Sequence, residues 1–165
     1  MKDNRVLLGF SGGIDSFAAI GLLQAAGYKV TALTLDMYGD SALLEKARLR
    51  AGALGIPWRM RSVRERFERE VVDYFTDSYF RGRTPAPCTR CNSRIKWPCL
   101  AAEADALGIR HIATGHYFRI TSAGGKRYVT RAADNRKDQS YYLWDLPQEI
   151  LDRVLTPMAV SYTHL

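Results

Sequence analysis

Two short segments carry residues whose types and spacing could do chemistry. The first, Ser11-Gly12-Gly13-Ile14-Asp15-Ser16, follows an apolar run and precedes a helical one. Free backbone N–H groups and the helix dipole at such a junction favour an anion. Gly12 and Gly13 let the chain turn tightly and approach phosphate oxygens, and the Ser11 and Ser16 hydroxyls add hydrogen bonds. The run lacks the lysine of G-x-x-x-x-G-K-[ST] and the spacing of G-x-G-x-x-G, so it is neither of those nucleotide loops. Asp15 in an anion site is accounted for by Mg²⁺ bridging its carboxylate to phosphates, which turns repulsion into attraction. The second segment is Cys88-Thr89-Arg90-Cys91, with Arg81, Arg83, Arg94 and Lys96 as further basic neighbours. Helix N-termini and cations both favour thiolate, so at least one of these cysteines is expected to be a reactive nucleophile or a soft-metal ligand. The competing reading is half of a zinc site, although no second C-x-x-C or ligand-spaced His pair follows. Cys99, beside Pro98, reads as a buried helix cysteine.

The elements that must position these segments alternate. Residues 5–10 read as a short apolar strand, 17–26 as a buried helix closed by Gly27, and Lys29–Asp36 as a β-branched strand. Residues 41–54 have helical spacing, and 56–62 form a third short strand. Such alternation implies βαβ units on a parallel sheet. From Val63, Phe67, Val71, Phe75 and Tyr79 recur every four residues, which predicts one amphipathic helix ending near Gly82. Residues 92–107 are helical in pattern, with Pro98 marking either a kink or a fresh helix start. His111–Thr114 is the fourth strand and leads into Gly115-His116. Residues 118–131 alternate around Gly124-Gly125 as a hairpin, and residues 140–155 read as a further helix or two.

With 165 residues, 47% of them apolar, the chain has the content of one globular domain. A net charge of +7 attracts phosphate-rich partners without distinguishing RNA from nucleotides. The three cysteines all lie at positions 88–99, which argues for a local site and against a disulfide scaffold. No apolar stretch approaches membrane-spanning length, so a cytoplasmic protein without membrane partners is expected.

The loop at residues 11–16 resembles the PP-loop, S-G-G-x-D-S, of the ATP-pyrophosphatase superfamily. Three further blocks narrow the resemblance: residues 82–92 (GRTPAPCTRCN), 113–117 (ATGHY) and 137–143 (KDQSYYL). In order and spacing, the four together resemble the bacterial tRNA-specific 2-thiouridylase family over residues 5–158. That resemblance implies an α/β fold of the Rossmann-like, adenine nucleotide alpha hydrolase type, a parallel twisted sheet flanked by helices with a small β-hairpin. It also implies ATP and Mg²⁺ as cofactors and tRNA as partner. The uracil C2 oxygen at the wobble position would be adenylated, pyrophosphate would leave, and a persulfide sulfur would then displace AMP. Gly9, Phe10, Ser11, Gly12, Gly13, Ile14, Asp15, Ser16, Leu35 and Gly115 match the ATP-contacting positions. Cys91 matches the catalytic nucleophile, which in the family pairs in a disulfide with a second, sulfur-carrying cysteine. Ala86, Pro87 and Cys88 would lie against the target base, with Ala86 standing where Asn is common and Cys88 at a place that is Asp or Cys. Lys137, Asp138 and Gln139 match a tRNA-contacting segment, and His116 a position of substrate discrimination. On residues alone, Asp138 is equally a helix cap, whereas Gly115-His116, at a strand's carboxyl end, reads as a ligand-binding turn in preference to a simple one. The sulfur donor implied is a sulfur-relay protein or a cysteine desulfurase.

The family's second catalytic cysteine and two further domains have no counterpart here. The expectation is a PP-loop domain at residues 1–158, shortened relative to the family, followed by a foreign tail at 159–165. Three other readings remain open: a PP-loop ligase or amidotransferase that needs no thiol, a non-catalytic ATP- or tRNA-binding module, and an enzyme with an iron–sulfur cluster on Cys88, Cys91 and a distal cysteine.

Overall fold

Val6, Leu7 and Leu8 are all fully buried, and a strand with both faces covered needs an uninterrupted apolar run of this kind. In the computed structural model, which describes residues 4–159, this strand, β1 (Arg5–Gly9), is the centre of a five-stranded parallel sheet. The others are β2 (Lys29–Asp36), β3 (Trp58–Ser62), β4 (His111–Thr114) and β7 (Val154–Leu155), in the order β3-β2-β1-β4-β7. On one face, Val6 and Leu8 pack with Ala19, Ile20 and Leu23 of α1 (Ile14–Ala25) and Ala47 and Ala51 of α2 (Ser41–Ala53). On the other, Leu7 and Leu33 pack with Trp97, Leu100 and Ala104 of α6 (Trp97–Ala106). The hairpin of β5 (Arg119–Ala123) and β6 (Lys126–Thr130) stands apart from the sheet and turns at Gly124 and Gly125, both at positive φ.

Three elements differ from the sequence expectation. Residues 140–155 hold a 3-10 turn at Ser140–Tyr142, a single-turn helix α7 (Gln148–Leu151) and the edge strand β7. Two residues carry no period by which a strand can be recognised, and pairing with β4 decides the matter. The amphipathic helix after Val63 is α3 (Arg64–Phe67), a π turn (Glu68–Val72) and α4 (Asp73–Phe80). Between α5 (Pro87–Cys91) and α6 lies a second π turn, Asn92–Lys96, so the helical path runs past Pro98, which occupies the first turn of α6. The hairpin, β2 and β4 lie where they were expected. The expected foreign tail, apart from Ala159, lies outside the described residues.

Candidate functional site

The chain leaves β1, winds outward through β2 and β3, and returns to β4 on the other side of β1. That reversal opens a crevice beyond the carboxyl ends of β1 and β4, the place where open α/β sheets bind ligands. The segment 11–16 leaves β1 there, and Gly115-His116 leaves β4 there. The two loops touch: a Cβ on Gly115 would stand 2.8 Å from the Ser16 backbone nitrogen, so a residue without a side chain is required. Gly12 has φ +73° and lies against Ala47 of α2, while the Arg50 guanidinium donates to the Gly12 carbonyl. The turn is thus held from both sides. Within it the Ser11 and Ser16 hydroxyls are 3.2 Å apart, and Ser16 Oγ donates to the Gly13 carbonyl at 3.0 Å. Ile14 opens α1, and its side chain points to solvent, 71% exposed.

The crevice is a cleft of about 430 Å³. Gly9, Phe10, Ser11, Asp15, Ser16, Leu35, Gly115, His116 and Gln139 line it, whereas Gly12, Gly13 and Ile14 are not among its lining residues. Leu33, Leu35, Met37, Leu43, Leu44 and Leu100 give it an apolar wall suited to a flat ring, opposite the polar loop. Thr34 Oγ1 donates to the Phe10 carbonyl at 2.7 Å and accepts from Trp58 Nε1 at 2.9 Å, which ties the loop's entry to β2 and β3. Asp36 lies at the end of β2, and its buried carboxylate is engaged by the Arg64 guanidinium at 2.6 Å and the Gly39 N–H at 2.8 Å. The hydrogen bond from Arg64 holds it below the usual carboxylate range against the opposing effect of burial.

His116 Nδ1 is 2.8 Å from Thr114 Oγ1, and its ring stacks on Trp97 with centroids 6.4 Å apart. Burial, helped by the charge of Lys96, lowers its pKa to about 3, so the ring is neutral at ordinary pH. Asp15 Oδ1 accepts from the Tyr117 hydroxyl at 2.7 Å. Gln139 binds the Tyr117 backbone twice, through Oε1 at 3.0 Å and its own N–H at 2.9 Å. Asp138 does not cap a long helix: its carboxylate accepts from the Ala132 N–H at 2.7 Å and the Ser140 hydroxyl at 2.8 Å. Burial raises its pKa, but these bonds outweigh burial and hold it below the usual range. Exposed Lys137 sets its ammonium 6.0 Å from the Tyr117 ring centroid.

The cysteine segment packs behind the residues that line the cleft. Helix α5 packs against the Ser140–Tyr142 turn, whose Tyr142 ring meets His116 edge-on at 5.7 Å. Cys88 and Ala86 are exposed and Pro87 is half-buried, while Cys91 is buried beside Leu35 and Met37, the residues that face the cleft. All three cysteines are free thiols, so no disulfide forms within the described residues. The expected low-pKa thiolate is not found at Cys91: burial pushes its thiol up, and the opposing charge of Lys96 does not cancel it. The physical reasons are two. Cys91 ends α5 instead of starting it, and two of the arginines are engaged elsewhere. Arg81 pairs with Asp77 at 2.9 Å, and Arg90 bonds the Glu70 carbonyl and carboxylate and lies 4.4 Å over the Tyr74 ring.

Residues 4–163 match the family described as the tRNA methyl transferase HUP domain. The chain belongs to that family. This HUP domain is 48% identical over 160 residues to the tRNA-specific 2-thiouridylase MnmA 2 of Phocaeicola vulgatus, covering 95% of the chain and 46% of that protein. It is 49% identical to MnmA 1 of Bacteroides fragilis (95% and 44%) and 40% identical to MnmA of Carboxydothermus hydrogenoformans (96% and 48%). The chain therefore spans about half the length of the curated relatives it matches. Among solved structures, a predicted subunit of tRNA methyltransferase from Methanocaldococcus jannaschii superposes with a TM-score of 0.56 at 17% identity, covering 96% of this chain and 69% of that one. The glutamine-dependent NAD+ synthetase of Acinetobacter baumannii, solved with adenosine diphosphate, gives 0.51 at 21%, covering 70% and 22%. Both likenesses show the Rossmann-like fold.

The donor set of the HUP domain fits a nucleotide: loop N–H groups and hydroxyls for phosphates, an apolar wall for the base, and the free side of Asp15 for Mg²⁺. Of the two cysteines that an iron–sulfur cluster would use within this chain, Cys88 is exposed and Cys91 buried, and among the described residues no three His, Cys, Asp or Glu side chains converge. No helix among those residues is long and apolar enough to cross a membrane. Sequence reasoning missed Tyr117, Thr34 and Lys96 as parts of the site. Tyr117 lies inside a motif block, but its contact with Asp15 joins residues 102 apart in the chain.

Proposed function

We propose that this chain is the ATP-using part of a tRNA 2-thiouridylase. The observation that carries the reading is the approach of a C-x-x-C helix to the cleft of the PP-loop: Cys91 packs beside Leu35 and Met37 of its lining, and α5 packs against the turn whose Tyr142 meets His116. The 2-thiouridylases to which the chain is similar give the substrate class.

ATP would lie with its base on the wall of Leu33, Leu35 and Leu44 and its terminal phosphates at Ser11–Ser16. Asp15, oriented by the Tyr117 hydroxyl, would hold Mg²⁺, which supplies charge neutralisation for the phosphates. The uracil C2 oxygen of a tRNA wobble uridine, laid against Ala86, Pro87 and Cys88, attacks the α-phosphorus, and pyrophosphate leaves with the electron pair of the broken P–O bond. The outer sulfur of a persulfide on a second cysteine then attacks C2 and AMP departs; Cys91, as nucleophile, attacks the inner sulfur, so that the S–S bond breaks, the outer sulfur stays on C2 as 2-thiouridine and the two cysteines are left as a disulfide. A neutral His116 is suited to hydrogen-bond an uncharged pyrimidine edge without placing a cation there. Lys137, Asp138 and Gln139 form the loop through which a bound tRNA reaches Tyr117 and, through it, Asp15. A cysteine desulfurase or sulfur-relay protein supplies the sulfur, in the cytoplasm.

The test is incubation with γ-labelled ATP, Mg²⁺ and unmodified tRNA carrying a wobble uridine, with pyrophosphate separated from orthophosphate. Pyrophosphate that depends on tRNA and vanishes in Asp15→Ala is expected. Nucleotide binding with no pyrophosphate marks a binding module. Thiolation by a chain completed to the relatives' length that survives Cys91→Ser overturns the thiol assignment.

A further inference from the structure

A cleft that binds a triphosphate must meet several negative charges, and this one is lined by three carboxylates, Asp15, Asp36 and Asp40. Among the described residues, Lys96 is the one Lys or Arg that lines it. Other cations near by are engaged: Arg50 with the Gly12 carbonyl, Arg64 with Asp36, Arg90 with Glu70. Lys96 is half-buried, and among the described residues no ion pair or hydrogen bond engages its ammonium.

Its direction follows from the π turn. In a continuous α-helix, residues five apart point about 140° away from each other. The π turn Asn92–Lys96 is wider, with i→i+5 bonding that brings the fifth residue back toward the face of the first. Lys96 thus shares the side of Cys91, and its charge reaches both Cys91 and His116. The loop at the opposite end offers backbone donors to the terminal phosphates. The phosphorus that changes partners must lie between that loop and the side of His116, which lines the cleft together with Lys96.

We propose that Lys96 is a catalytic residue of the nucleotidyl-transfer step, a cation that contacts the phosphate retained in AMP. This rests on the reading of the cleft as an ATP site. As the uracil oxygen forms its bond to the α-phosphorus, the bond to the bridging oxygen breaks and pyrophosphate takes the electron pair. Lys96 keeps its proton throughout and neutralises charge on the non-bridging oxygens.

Calorimetric titration of the chain with AMP and, separately, with pyrophosphate and Mg²⁺ tests this in the wild type, Lys96→Met and Lys96→Arg. Loss of a charge-assisted hydrogen bond predicts AMP affinity about tenfold or more weaker in Lys96→Met, with pyrophosphate affinity unchanged. Lys96→Arg should recover most of the AMP affinity. Unchanged AMP affinity in Lys96→Met overturns the proposal, as does an equal loss for both ligands, which signals a collapsed cleft. A wild type that binds neither AMP nor ATP refutes the ATP reading itself and this inference with it, so the two failures are distinguishable.

Discussion

His116 shows how one residue's chemistry is set by what surrounds it. Wedged between Trp97 and Tyr142 and bonded to Thr114, it sits in a place where a charged ring would be poorly solvated. In the unfolded chain it protonates below pH ~6.5, whereas in the folded state it does so only near about 3. Between these values the unfolded state binds more protons, so this contribution to stability is complete above the upper value and is lost progressively as pH falls through the window. Urea unfolding of His116→Gln across that range should show a flatter loss of stability than the wild type. An identical slope would mean the ring is solvated and free to charge. Gly115, beside it, shows the converse case, in which function depends on having no side chain, because any Cβ would strike the backbone of Ser16.

Elements contribute by bracing the PP-loop from several directions. Strand β2 does so through Thr34, whose buried hydroxyl joins the Phe10 carbonyl to Trp58 of β3. Thr34→Val keeps the shape and leaves both partners without that hydroxyl, an expected loss of about 1–3 kcal/mol in equilibrium unfolding. A loss near zero would show that water replaces it. Helix α2 braces the same loop through Ala47 and Arg50. The two π turns are a second device. Each inserts a residue into a helical path, and α5, which carries both cysteines, packs against the first and leads into the second. The carbonyl of Glu70, inside the first π turn, receives Arg90 from between those cysteines. Helix distortions of this kind are frequent at functional sites.

At the scale of the whole molecule, the site belongs to no single element, since its walls come from β1, β2, β4, the starts of α1 and α2, the π turn at Asn92–Lys96 and α6. A nucleotide bound in the cleft would therefore bridge both sides of the sheet's switch point, and ligand that binds only the folded state must stabilise it. At a hundredfold excess over its dissociation constant, the gain is about 2.7 kcal/mol. Gly115→Ala, which displaces the loop, should fold and lose this gain. A variant that keeps the full ligand-induced shift would place the nucleotide elsewhere.

The placement of individual motifs was legible in the sequence, and so was the strand-helix order that carries them, because both are local. Ser11–Ser16 between a strand and a helix, the alternation of Lys29–Asp36 and the Gly124-Gly125 turn each contain their own cause within a few residues. Neither β7 nor the π turns could be read in this way. Two residues become a strand only against β4, and a π turn differs from an α-helix by one residue whose cost is met by packing. For the same reason the sequence did not reveal that burial holds Cys91 as a thiol. Basic residues adjacent in sequence pointed to a thiolate, but side-chain direction and burial, which only the tertiary structure decides, sent Arg90 to Glu70, buried Cys91 and left Lys96 facing the cleft.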